Sequence, residues 1–382
     1  MKINIKKVLK WVVLSVLIVI LIVVGYFGQF ALFTPKAVTS ASGVKSIAEL
    51  DNYLSSLVDE GLPPAMDVIV LKHGKPVFSK AYGIADGLTG EKATQEHVYH
   101  YWSMTKSFTA VAIFQLVEQG KISLEESINT YLPNYSPVDE NGTPVKITVE
   151  QLLNHTSGLP DFPLKMIEWV HLDGEPRFGD TKMVKERLQD YRVVKSTPGT
   201  VSKYVNTDYV ILGAVLESVT GDTYENYVRD NILIPLNMND SDFTYRPDML
   251  EKHVKGTHHY YHFFTVFMNY FGPEGGLESW TLGTTENRHW LKNIHTDYVA
   301  STSIIGTGLD LSRFAQMLLN KGELDGVRLL SEHNANEILF GGRFAGEKSL
   351  VESGEKDLAL GYGTKTWFDQ GVELIGHGGN AP

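Results

Sequence analysis

The sequence predicts an α+β protein in which an antiparallel sheet is flanked by helices, carries a helical insert and is preceded by one transmembrane helix. Three observations predict this. Strand patterns stand near both ends of the folded part, the long middle carries apolar residues at helical spacing, and residues 11–33 form a nearly unbroken apolar run. With 43% hydrophobic and 11% aromatic content over 382 residues, the chain can bury a large core.

The first element is basic. Lys2, Lys6, Lys7 and Lys10 lie in segment 1–10, which has no acid. At ~1.5 Å per residue the apolar run that follows reaches roughly 35 Å, enough for a hydrocarbon core about 30 Å thick. The run is long for a cleaved signal and no clear A-x-A site follows it, so it is expected to remain as a single-pass anchor in the cell membrane. Lysines before the span keep the N-terminus cytoplasmic and place the rest of the chain outside the cytoplasm. Residues 34–44 read as a linker and 45–382 as the folded domain.

Within that domain, residues 47–57 read as an amphipathic helix. Residues 66–71 and 77–82 are strands joined by His73-Gly74-Lys75 into a hairpin. From Ser107 the pattern turns helical, with Phe108, Val111, Ala112, Leu116 and Val117 on one face and Gly120 placed to end the helix. Ser123 with Glu126, and Thr148 with Gln151, have capping-box spacing and predict two helix starts. Further helices are expected over 207–219, stopped by Gly221, and over 309–319. Strands 363–367 and 372–376 flank Asp369-Gln370-Gly371.

Composition removes several chemistries. Cysteine is absent, so there is no disulfide framework, thiolate nucleophile or zinc–thiolate site. The formal net charge is −11 even with the N-terminal lysines counted, which argues against electrostatic binding of nucleic acid.

Ser103-Met104-Thr105-Lys106 sets a hydroxyl and an amine three residues apart on one face at a helix start. The lysine suits the role of proton acceptor if burial or neighbouring positive charge lowers its pKa. Backbone N–H groups at the helix start could stabilise an oxyanion. Alone the motif is weak, because a helix cap followed by a surface lysine looks the same. Two more motifs accompany it in order: Tyr204-Val205-Asn206 between Pro198-Gly199 and a helix, and His377-Gly378-Gly379 at the end of the last strand.

With these three motifs, and with the stretches SMTKSFTA from Ser103 and LLNHTSGL from Leu152, the chain resembles the serine β-lactamase and penicillin-binding-protein family. The resemblance is to the branch with class C β-lactamases, D-alanyl-D-alanine carboxypeptidases, D-aminopeptidases and esterases. It implies a β-lactamase/transpeptidase-like fold and hydrolysis of an amide, peptide or ester bond in a small-molecule or cell-wall substrate through an acyl-enzyme, with no cofactor and no metal. Ser103 would be the nucleophile, Lys106 its proton partner and Tyr204 the second member of the base pair. Asn206 would orient the substrate amide and the lysine. His377, Gly378 and Gly379 would line the substrate site, and the backbone N–H groups of Ser103 and Asn380 would form the oxyanion hole. His155, in the LLNHTSGL stretch, is read as structural.

Two departures from the family pattern matter. Relatives often carry Lys-Thr-Gly at the third motif, where the lysine helps hold a carboxylate; here His377 stands in its place and is mostly neutral at pH 7. That favours a D-alanyl peptidase or esterase over a β-lactamase, while a non-catalytic sensor domain is the alternative of another class. The family also continues past the third motif with further strands and a helix, so a truncated sequence is expected. Finally, residues 258–271 are rich in aromatics and histidine and fit an insert packed on the helical part, a lid, a bilayer-dipping surface or, least well, a metal site.

Overall fold

A computed structural model describes residues 43–61, 63–162, 165–259, 276–285, 288–344, 359–369 and 371–379, with the side chains of 368 and 369 left out. The expected transmembrane run and most of the aromatic stretch, 260–271, lie outside these residues. Among the described residues no helix is long and apolar enough to cross a membrane, and no cluster of His, Asp and Glu could hold a metal ion.

The N-terminal hairpin forms as expected and runs longer, pairing Ala65–Lys72 with Lys75–Asp86 antiparallel. His73 and Gly74 at its tip both have positive φ (51° and 70°), the twist that a two-residue turn needs to match right-twisted strands. At the other end, Lys365–Asp369 pairs with Val372–Gly376 and with Ala359–Leu360. Where the sequence reading expects one sheet, the described residues form several short antiparallel ladders. Most strands are only two to five residues long, and the helices Gly308–Leu319 and Ile47–Asp59 pack on the two long N-terminal ones. One ladder has a direct bearing on the site: Tyr99–His100 pairs with Ile305–Gly306 and ties the segment entering the Ser103 turn to a distant part of the chain.

Between the end ladders lies the helical core. The helix Thr105–Glu118 was expected to bury one face; instead every residue from Thr105 to Leu116 except Ser107 is buried. Its neighbours explain this. Asn206–Thr220, Val299–Thr302 and Glu332–Phe340 all pack against it, and Phe314 from the helix Gly308–Leu319 stacks on Phe108 with ring centroids 3.7 Å apart. The helix therefore carries Lys106 into the protein interior.

Helix ends follow the sequence in most places. Gly120 (φ 67°) and Gly221 (φ 73°) take the left-handed conformation after their helices. Thr148 and Gln151 form a reciprocal capping box, Gln151 N–H donating to Thr148 Oγ1 at 3.2 Å and Thr148 N–H to Gln151 Oε1 at 3.0 Å. The start expected at Ser123 is displaced. The helix begins at Ile128 with Ser127 as its cap, because Glu126 folds forward and accepts from Ser127 N–H (2.9 Å) and Thr130 Oγ1 (3.1 Å).

Candidate active site

Ser103 sits in a short 3-10 turn, Trp102–Met104, that leads directly into the Thr105–Glu118 helix. Trp102 has φ of 47°, a rare conformation for a bulky residue, and stacks on His100 at 4.6 Å. The turn presents Ser103 at the end of a buried helix, half-exposed.

One turn along, Lys106 is fully buried. Its Nζ donates to Asn206 Oδ1 at 2.9 Å, to the Ser301 carbonyl at 3.1 Å and to Ser103 Oγ at 3.2 Å. Burial is the main force on this amine and pushes its pKa well below the ordinary lysine value, with Lys365 adding to the depression and Asp161 and Asp208 opposing it. An amine with three oxygen neighbours and a depressed pKa can accept a proton from the hydroxyl beside it.

Asn206 is fixed from several sides. Asp161 accepts from its backbone N–H (3.0 Å) and from Nδ2 (3.2 Å), while Ser301 Oγ donates to Oδ1 at 2.8 Å. The amide orientation is thereby set, with Oδ1 toward the lysine. Tyr204 lies on the same side, its ring centroid 4.8 Å from Lys106 Nζ and 5.9 Å from the His377 ring. His155 packs behind Tyr204 at 4.7 Å between ring centroids, and its Nδ1 lies 3.1 Å from Asp208 Oδ2. That placement makes it part of the wall.

The third motif closes the site. A Cβ on Gly379 would lie 2.2 Å from the Tyr101 carbonyl and 2.8 Å from Trp102 Cβ, so only glycine lets this strand end approach the Ser103 turn. Gly378 has open space instead. His377 Nδ1 donates to the Gly378 carbonyl at 2.6 Å. Burial first, then the Lys106 and Lys365 charges, push the His377 pKa well below the ordinary histidine value, so its ring is neutral at pH 7. Asn380 lies outside the described residues.

Sequence reasoning missed three residues of this cluster. Ser301 and Asp161 reach it through folding alone; nothing local marks them. Lys365 was within reach: its Nζ lies 4.2 Å from the Tyr204 ring centroid, and in the hairpin register it stands opposite Gly376, next to His377. The loss of a lysine from the third motif therefore does not leave this wall without a lysine. The lysine sits on the neighbouring strand.

The comparisons with known proteins agree with this fold. Among curated proteins the chain is 29% identical over 195 residues to Protein flp of Staphylococcus aureus strain MW2, covering 51% of this chain and 38% of that protein. It is 29% identical over 213 residues to a putative D-alanyl-D-alanine carboxypeptidase of Escherichia coli K12, covering 52% and 48%. The chain thus spans less than half the length of either relative. Among solved structures, D-amino acid amidase from Ochrobactrum anthropi SV3 superposes with a TM-score of 0.67 at 22% identity, covering 87% of this chain and 86% of that one. The octameric penicillin-binding protein homologue from Pyrococcus abyssi gives 0.65 at 23%, covering 88% and 68%. Both likenesses are of fold, and the fold is β-lactamase/transpeptidase-like. The beta-lactamase family model matches residues 50–382, nearly the whole described structure, and on that match the protein belongs to the beta-lactamase family of serine hydrolases.

Proposed function

We propose that this chain is a serine hydrolase that opens amide, peptide or ester bonds through an acyl-enzyme on Ser103. The observation that carries the reading is the buried Lys106 amine, held by Asn206 and the Ser301 carbonyl within 3.2 Å of Ser103 Oγ. As the Ser103 oxygen attacks the substrate carbonyl, its proton passes to neutral Lys106. The backbone N–H groups of Ser103 and Asn380 hold the oxyanion, the leaving group departs with a proton drawn from the Lys106–Tyr204 pair, and water then releases the acyl group by the reverse proton path. A phenol beside a lysine can share its proton with it, so the two titrate as a pair.

For substrate we favour D-alanyl peptides, D-amino acid amides or esters over β-lactams. His377 puts a neutral ring where relatives carry the third-motif lysine, so a substrate carboxylate would have to reach the neighbouring strand and Lys365 for its counter-ion, which favours uncharged amides and esters most of all. The relative described as a putative D-alanyl-D-alanine carboxypeptidase and the amidase among structural neighbours support this choice, as does the neighbouring EstCE1, a hydrolase with promiscuous acyltransferase activity. We further propose that residues 11–33 anchor the domain at the outer face of the cell membrane, which rests on the apolar run and the lysines before it.

One experiment tests both readings. A membrane-impermeant fluorophosphonate applied to intact cells should label the full chain on Ser103, identified by mass spectrometry, and Ser103→Ala should not label. Labelling in lysates only would remove the outside location and leave the nucleophile standing. Labelling that survives Ser103→Ala would remove the mechanism.

A further inference from the structure

We propose that the cavity beside the Ser103 turn binds an apolar, ring-sized side chain on the acyl part of the substrate, so that the substrate class is hydrophobic acyl or aminoacyl amides and esters. The inference rests on the acyl-enzyme reading above and adds to it which acyl groups are taken.

The cavity holds about 400 Å³ and includes Trp102 and Gly379 in its wall. Trp102 precedes Ser103 in the chain and Gly379 ends the described part of the third motif, so the cavity opens beside an acyl group carried on Ser103. Its size falls within the range of small-molecule sites, roughly 300–1,000 Å³. The far wall is apolar, built from Ile167, Val170, Trp280, Leu291 and Ile294.

His100 and His253 of the wall do not offer charge. Burial pushes the His100 pKa down to about 3 and that of His253 well below the ordinary histidine value, so both rings are neutral. Each turns its Nε2 to the Tyr245 hydroxyl, at 2.5 and 3.0 Å. Lys255 and Lys292 also border the cavity, but their ammonium groups donate to Asn293 Oδ1 (3.4 Å) and the Ser279 carbonyl (2.8 Å). A cationic side chain would find no carboxylate among the described residues of the wall, and the two ammonium groups each already have an acceptor in the protein. An apolar ring would bury its surface against tryptophan and aliphatic side chains, which contributes favourably in proportion to area.

Gly256 makes the idea testable. It lines the cavity, is solvent-exposed and has no positive φ, and a Cβ added to it would touch only Leu291, at 3.8 Å. A side chain there would meet Leu291 in the cavity wall without backbone strain. The full chain is assayed with p-nitrophenyl acetate and p-nitrophenyl phenylacetate, with Ser103→Ala as blank. Wild type should prefer the phenylacetyl ester by ten- to a hundredfold in kcat/KM, and Gly256→Leu should cut the phenylacetyl-to-acetyl ratio at least tenfold, chiefly through KM. Ile167→Ala, which enlarges the cavity, should shift preference toward 4-phenylbutanoyl esters and guards against misfolding of the first variant. Ratios unmoved by both variants, or an acetyl preference in wild type, overturn the inference while Ser103-dependent hydrolysis keeps the acyl-enzyme reading. Hydrolysis that does not depend on Ser103 would overturn both.

Discussion

Lys365→Met offers the sharpest test of the electrostatics at the site. The Lys365 and Lys106 ammonium nitrogens lie 4.2 and 4.8 Å from the same Tyr204 ring centroid, so they are no more than about 9 Å apart. Two unit charges at ~9 Å and an effective dielectric of ~20 repel by roughly 1.8 kcal/mol. Since about 1.4 kcal/mol is a factor of ten in proton affinity, and since solvent screens the half-buried Lys365, removing it should raise the Lys106 affinity for a proton about tenfold. The sign follows from the chemistry. The proposed mechanism needs Lys106 neutral, so its pKa would set the acidic limb of kcat/KM. Lys365 lowers that pKa and extends activity to lower pH. Lys365→Met should therefore move the acidic limb up by about one pH unit, while Lys365→Arg, which keeps the charge, should leave it close to wild type. The assay is a pH–rate profile with a neutral ester, so that substrate charge does not enter. Groups that also bear on Lys106 are Asp161 and Asp208, which raise its pKa, with the neighbouring rings of Tyr204 and Tyr209 at 4.8 and 5.7 Å; none is altered by these substitutions. An acidic limb that stays in place in a folded, active Lys365→Met enzyme would refute the reasoning.

Two further substitutions probe the supports of the site. Asp161→Ala removes both acceptors that fix Asn206 and an attraction that raises the Lys106 pKa. Its kcat/KM at the plateau should fall about ten- to a hundredfold and its acidic limb should move to lower pH; an upward move counts against the assignment. Gly363→Val should lower stability by about 2–4 kcal/mol, read as a drop in Tm, because Gly363 has φ of 68° and a Cβ there would lie 2.7 Å from the Lys106 carbonyl and 2.9 Å from Ala110 Cβ. A Tm within about 2 °C of wild type would show that the strand connection can shift away from the helix.

Local chemistry made much of the fold legible in advance. The hairpin around His73-Gly74, the Thr148–Gln151 box and the glycine helix ends depend on residues within a few positions of one another, and they appear where the sequence put them. The Ser123 start failed because two caps competed and the local carboxylate of Glu126 chose Ser127. Burial of the Thr105–Glu118 helix was underestimated because its outer face is covered by helices far away in sequence, which periodicity within one segment cannot reveal. The same limit applies to the site. Ser103, Lys106, Tyr204, Asn206 and His377 were legible as motifs, whereas Asp161 and Ser301 join only through tertiary contacts. Lys365 lies between these cases, since counting back from the Asp369–Val372 pairing aligns it with Gly376.

The hydrogen bond from Ser107 Oγ to the Gly363 carbonyl joins residues 256 apart in sequence, and Gly379 seats on the Tyr101 carbonyl from still further along. Closing a contact of that span costs chain entropy before the contact returns any stability. During synthesis, the serine turn leaves the ribosome long before the strand that walls it in has been made. A growing chain therefore presents the serine turn before the wall that carries Lys365 and His377 has docked, and a chain cut between the two halves would keep Lys106 beside Ser103 but lose the Lys365 charge that lowers its proton affinity.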